Sequence, residues 1–302
     1  MKHHYDQISV CICTYQRPKM LLNLLEKLQN QKTEQLFTYS IIVVDNDRTQ
    51  SAKITVDSFK EKSAVEIKYY CEPEQNISLA RNKALQSAVG NFVALADDDE
   101  FPENNWLLCL YEACKRYNAD GVLGPVNPHF QTPPPKWVIN GKFYEKDRHK
   151  TGNVLQWQNT RTSNVLMKRA IFDDRENMFN PEFGRGGEDK DFFKRMIDKN
   201  YVFVWCNEAF IYETIPPERC KRVFMLKRAL LRGKIFLKYP SFGLIPIIKS
   251  IIAIPTYALI LPVTFLMGHH YFMNFLIKLF EHIGRLLALF GLDVIKQYYV
   301  MK

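Results

Sequence analysis

The apolar run Phe92–Ala96 stops on an unbroken acidic triplet, Asp97, Asp98 and Asp99. Three adjacent carboxylates at the end of a buried strand repel one another and cost desolvation energy, so the strand must end where something compensates them. A hard divalent cation is one such partner, because Mg²⁺ and Mn²⁺ take oxygen ligands and keep part of their shell for substrate phosphates. A helix is the other: Asp99-Glu100-Phe101-Pro102 also reads as a cap, with the helix starting at Pro102 and Glu103 in its first turn. The triplet alone leaves both open.

Upstream, apolar runs alternate with amphipathic stretches. The pattern predicts strands over Ile8–Thr14, Tyr39–Asp45, Ile67–Cys71 and Phe92–Ala96, and helices over Lys19–Gln31, Gln50–Lys60 and Ser78–Ala88. Ser78 is the expected cap of the third helix, and Gly90 closes it. Strands separated by helices imply βαβ units and a mostly parallel sheet, whose ligands sit at the strand C-termini. Three polar clusters fall at those ends: Thr14-Tyr15-Gln16-Arg17-Pro18, Asp45-Asn46-Asp47 and the triplet. Asp45-Asn46-Asp47 alone also reads as an Asx turn, but three clusters on one sheet edge point to a site.

The formal charge of +9 calls for an anionic partner. Much of it lies in Arg219, Lys221, Arg222, Lys227, Arg228, Arg232, Lys234 and Lys238, just before the most hydrophobic part of the chain. The nineteen residues Ser250–Gly268 carry no charge, which is the lower range for a membrane span, although Pro255 and Pro262 also suit a re-entrant or in-plane helix. Phe272–Ile295 is amphipathic, reading as an interfacial or a packed helix. This distribution favours a membrane surface over nucleic acid. Seven cysteines without a CxxC pair suggest a reduced, cytosolic compartment, and the polar residues 1–7 do not read as a signal peptide; His3-His4 is too short to be a metal site.

Read together, Ser9 to Pro18, Ile42-Val43-Val44-Asp45-Asn46, Asn76 to Asn82, the triplet and Gly186-Gly187-Glu188-Asp189 resemble an inverting family 2 glycosyltransferase with the GT-A nucleotide-sugar-binding α/β fold. Gly124-Pro125-Val126, Pro133–Trp137, Thr162-Ser163-Asn164 and Glu213–Arg219 bring the resemblance nearest to succinoglycan-type exopolysaccharide glucosyltransferases. It implies a GT-A domain over residues 1–220 and a membrane-associated region over 221–302. Thr14, Arg17, Asp45 and Asn46 would then contact the donor nucleotide, with Arg81 near its diphosphate. Asp97 or Asp98 would touch the ribose, and Asp99 with Asp97 would ligate a divalent metal, Mn²⁺ or Mg²⁺.

Asp189 is the implied general base, taking the proton of the acceptor hydroxyl, and Glu188 a partner of sugar hydroxyls. Taken by themselves, these carboxylates also suit the capping of a following helix. Gly187, Asn164 and Trp137 are candidate sugar or acceptor contacts. Glu213 stands where some nucleotide-sugar transferases place a histidine ligand. The Gln-x-x-Arg-Trp motif of processive members is absent, Arg222 to Arg228 standing in that region, which implies a single transfer.

The expected activity is transfer of one sugar from a nucleotide donor of the UDP-hexose type to an oligosaccharide or lipid-linked acceptor, at the cytoplasmic face of the cell membrane. Two alternatives are a sugar nucleotidyltransferase, whose glycine-rich loop is missing after the first strand, and an inactive sugar-nucleotide-binding scaffold.

Overall fold

The computed structural model describes residues 5–184, 186–236 and 245–292. The expectations on His3-His4, Lys238 and positions 293–295 lie outside them. The described residues form two compact units, one of residues up to Asn127 with Lys146–Glu213, the other of Pro128–Glu145 with residues from Thr214 on.

The first unit opens with β1 (Asp6–Thr14), α1 (Pro18–Leu28), β2 (Phe37–Asp45), α2 (Lys53–Lys60), β3 (Ile67–Cys71), α3 (Ile77–Ser87) and β4 (Phe92–Asp97). After β5 (Glu100–Pro102) and α4 (Trp106–Arg116) come β6 (Gly121–Leu123) and β7 (Val126–Phe130). A short helix α5 (Lys136–Asn140) belongs to the second unit; β8 (Val165–Lys168), α6 (Glu188–Asp198), β9 (Phe203–Trp205) and β10 (Ile211–Ile215) follow. The main sheet has the order β3-β2-β1-β4-β8-β6-β9. Its first four strands are parallel, and β8 runs antiparallel to both β4 and β6.

Helices cover both faces of this sheet, so its strands are apolar on both sides. Along β1 and β2, Ile8, Val10, Ile12, Ile41 and Val43 pack with Leu21, Leu24, Leu25 and Leu28 of α1, while Cys11, Ile42 and Val44 face Ala80 and Ala84 of α3 and Phe192 and Phe193 of α6. The i, i+3, i+4, i+7 spacing of the α1 leucines is the one-face stripe of a helix on a sheet. The register pairs Thr14 with Asp45 and Cys13 with Asp97, so the three polar clusters end side by side on one edge.

Two local expectations change. The cap of α3 is Asn76 rather than Ser78: its side chain accepts from the Ser78 and Leu79 amides. No helix starts at Pro102, because Glu100–Pro102 is a strand paired antiparallel with β10, and α4 begins at Trp106. All seven cysteines are free thiols.

In the second unit, α7 (Arg222–Phe236), α8 (Ile245–Met267) and α9 (His269–Leu289) follow one another. Gly233 of α7 and Gly284 of α9 let the two backbones touch: a Cβ at Gly284 would collide with the Leu230 carbonyl, and one at Gly233 with that of Glu281. Ser250 of α8 meets Nδ1 of His282 of α9 at 2.9 Å. Among the described residues α8 alone is long and apolar enough to cross a membrane, with a mean hydropathy of 2.0 over its most apolar window, only 11% of which is buried. Leu259 and Leu266 are 79% and 86% exposed. A helix this apolar and this bare is not the core helix of a water-soluble fold.

Candidate active site

The site is built where β1, β4, α3 and α6 converge. Asp98, just past β4, is buried; its carboxylate accepts from Thr14 Oγ1 at 2.8 Å and Arg17 Nη1 at 2.9 Å. The same guanidine nitrogen lies 3.4 Å from Asp99. Burial, against the opposing Arg17 charge, pushes the Asp98 carboxyl up to about 6. Asp97 keeps 45% of its side-chain surface accessible, and its carboxyl is also pushed up, by desolvation first and then by the charges of Asp99 and Glu213, with Arg81 opposing. Thr14 and Arg17 thus join the triplet as expected by position, and their own bonds run to its carboxylates.

Arg81, in the first turns of α3, is buried and lies between two acids: Asp97 at 3.4 Å and Glu188, which it contacts through Nη1. Glu188 opens α6 behind Gly186 and Gly187, both at positive φ, where a side chain would be strained. Burial raises the Glu188 carboxyl despite Arg81. Asp189 follows in the first turn; Oδ1 accepts the Lys190 amide at 2.7 Å, and Asp189 makes no ion pair among the described residues.

The Asn76–Asn82 segment positions this corner by a double clamp. Asn82 exchanges two hydrogen bonds with the Phe179 backbone, at 2.8 and 2.9 Å. Asn76 Nδ2 donates to the Pro181 carbonyl at 3.0 Å, and the Ile77 amide donates to the Gly184 carbonyl. A Cβ at Gly184 would overlap the Asn76 amide, so only glycine fits there. The clamp holds the segment 179–184 that precedes Gly186-Gly187-Glu188-Asp189.

Other expected contacts are committed to structure. Asp45 is fully buried, accepting from the Asp47 and Ala52 amides and, at 3.0 Å, from Tyr69 Oη. Asn46 donates to the Glu72 and Glu74 carbonyls and accepts the Asn76 amide. Asn164, a candidate sugar contact, has no exposed surface and φ of 57°. Its Nδ2 donates to the Pro125 and Ala209 carbonyls and its Oδ1 accepts from Trp106 Nε1 at 2.7 Å. Gly124 makes room for this clasp, since a Cβ there would strike the Ala209 carbonyl and the Asn164 amide. Trp137 lies in the second unit, edge-on to Phe143 and His269.

Glu100 is a site residue the motifs did not single out. It is buried, accepts the Asp97 amide at 2.9 Å, and is pushed well up by burial and the Asp97 charge. It faces Glu213 across the β5–β10 pair, and Glu213 is bridged by Lys146 at 2.8 Å. Its signal was contiguity, because the acidic run has four members. Arg161, whose Nη1 is buried without a partner, carries no sequence signal.

The glycosyl transferase family 2 profile matches residues 9–175. The succinoglycan biosynthesis protein ExoM of Rhizobium meliloti is 32% identical over 231 residues, covering 75% of this chain and 73% of that protein. Chondroitin synthase of Escherichia coli is 27% identical over 248 residues, of which the match spans only 35% of its length. Staphylococcus aureus TarS residues 1–349, solved in complex with UDP-GlcNAc, superposes with a TM-score of 0.54 over 96% of this chain and 95% of that one, at 17% identity. The chain belongs to glycosyl transferase family 2, is a hexosyltransferase by class, and has the GT-A fold.

Proposed function

We propose that this family 2 glycosyltransferase moves a single hexose from a UDP-type donor to a glycan or lipid-linked acceptor with inversion, in cell-surface polysaccharide or glycolipid synthesis. The observation that carries the reading is the Asp97–Arg81–Glu188 bridge. It joins Asp97, at the end of β4, to Glu188 in the first turn of α6, where Asp189 follows. An inverting transfer needs one carboxylate to take the acceptor proton opposite the leaving group. Asp189 is ion-pair-free among the described residues and sits in the first turn of α6. The neighbour's UDP-GlcNAc complex supports a nucleotide-sugar donor.

The carboxylates also fit a hard divalent cation. Asp97 and Asp99 are oxygen donors whose mutual repulsion a cation would relieve. Among the described residues no three His, Cys, Asp or Glu side chains converge on one point, so the ion would complete its shell from diphosphate oxygens and water. When bound it would offset charge developing on the departing nucleoside diphosphate. Thr14 and Arg17 orient Asp98, and Arg81 keeps Glu188 and Asp97 compensated in the absence of substrate.

We assign the transferase domain to residues 1–220 and membrane association to 221–302, at the cytoplasmic face, where α8 would enter the bilayer or its interface. The test is Asp189→Asn assayed beside UDP-sugar calorimetry. Transfer should fall by roughly 10²–10⁴-fold with donor affinity unchanged; retained transfer would remove Asp189 as the base.

A further inference from the structure

The geometry points to a phosphate-headgroup site in the second unit, in a cleft of about 280 Å³ formed by the Gly141–Tyr144 turn, α7 and α9. Four cations, Lys142, Arg228, Arg232 and Lys278, line it against one carboxylate, Glu281. That carboxylate is committed to Arg232 at 2.9 Å. Lys142 has only an exposed 3.5 Å pairing with Glu145. Arg228 has no ion pair among the described residues, and Lys278 meets only the face of Phe275, 5.6 Å from its centroid. Among the described residues the cleft therefore has an excess of positive charge that is not neutralised.

The occupant follows from chemistry and setting. Guanidinium and ammonium groups converging on a small volume match a phosphate, whose oxygens accept several charge-assisted bonds at once. The cleft also has Phe143, Met225 and Ile277 on its walls, which suits a ligand with an apolar part beside its charge. The same unit carries the bare apolar helix α8. A lipid bearing a phosphate headgroup satisfies both features, since basic residues near an anionic membrane surface are drawn to it. This inference rests on the membrane reading of residues 221–302, and not on the transferase chemistry.

The experiment is flotation of the full-length protein with vesicles of phosphatidylcholine alone and of phosphatidylcholine with phosphatidylglycerol, without sugar nucleotide. The variants are Arg228→Gln/Lys278→Gln, in the cleft, and Arg222→Gln/Lys227→Gln, which removes the same charge from α7 outside it. Far-UV circular dichroism and thermal melting establish that both fold.

The expected result is preferential binding to phosphatidylglycerol vesicles, with affinity lost about tenfold or more in the cleft variant and less than about threefold in the matched one, each tenfold being 1.4 kcal/mol. Equal losses in the two variants would show diffuse surface attraction and overturn the site, as would a cleft variant that binds like the wild type. Millimolar inorganic phosphate separates the sources. Displacement of the wild type from phosphatidylglycerol to the level of the cleft variant supports the phosphate site, while phosphate-dependent melting with no lipid preference assigns it to the free anion and overturns the lipid. Failure of the wild type to bind any vesicle would sink the membrane reading instead, leaving the transferase reading intact.

Discussion

Arg81 and Glu188, 107 positions apart in sequence, form a buried ion pair that ties α3 to α6. Such a pair is fragile in one direction: removing one partner leaves the other charge uncompensated, at about 3–5 kcal/mol, whereas replacing both with apolar groups costs far less. Arg81→Met should therefore destabilise the protein by that amount in urea unfolding, since it orphans Asp97 as well. The double variant Arg81→Met/Glu188→Met should recover a large part of the loss. A single variant within about 0.5 kcal/mol of wild type would mean that the bridge does not hold the corner together.

Asp99 gives a second test, because it is implied in the cation site yet lies in no strand or helix. Asp99→Asn should weaken Mn²⁺-dependent UDP binding by about tenfold or more, while EDTA removes the same increment from the wild type and none from the variant. Calorimetry of both proteins with and without EDTA reads this directly. If melting temperature and UDP affinity fall in parallel and EDTA still weakens the variant, Asp99 is a structural residue.

How much of this was legible depended on whether the signal was local. The parallel half of the sheet was, since each strand is an unbroken apolar run with a polar stop, and Asp45, Thr14 and Asp97 were visible as those stops. The cap of α3 was off by two residues because Asn76 and Ser78 are both good cappers, and the choice is made by the Asn76–Pro181 bond, 105 positions away. Asn164 was legible as a residue with a job but not as which job: an asparagine that meets a sugar and one that clasps Pro125, Ala209 and Trp106 read the same in sequence. Glu100 was overlooked because an acid that faces solvent and an acid buried opposite Glu213 differ only through the β5–β10 pairing.

The clasp makes its own prediction. Asn164→Ala orphans a buried indole N–H and the buried Ala209 carbonyl, while the Pro125 carbonyl keeps the Ile211 amide at 3.2 Å; each unsatisfied group costs about 1–3 kcal/mol. It also places alanine at a positive φ that asparagine tolerates better. The expected result is a loss of several kcal/mol in chemical denaturation, with KM for the donor unchanged in whatever fraction remains folded. A stable variant with a raised KM would return Asn164 to the list of substrate contacts.

The last test is a pH dependence far from the site. Asp6, at the start of β1, is pushed up by partial burial, but hydrogen bonds from Lys115 and Tyr111, both 2.7 Å, outweigh this and bring its carboxyl below the ordinary 3.8. A carboxyl whose folded pKa lies below its unfolded one adds stability above the unfolded value, and that stability disappears as pH falls through the folded value. Asp6→Asn should accordingly cost stability at pH 7, and that cost should shrink as the pH falls below 3.8 and on through the lower folded value. Because half of the Lys115 side chain is exposed, the difference should be under about 1 kcal/mol. Melting curves of both proteins across this range decide it: an equal cost at both ends would assign the loss to packing around Tyr111, with no contribution from the charge.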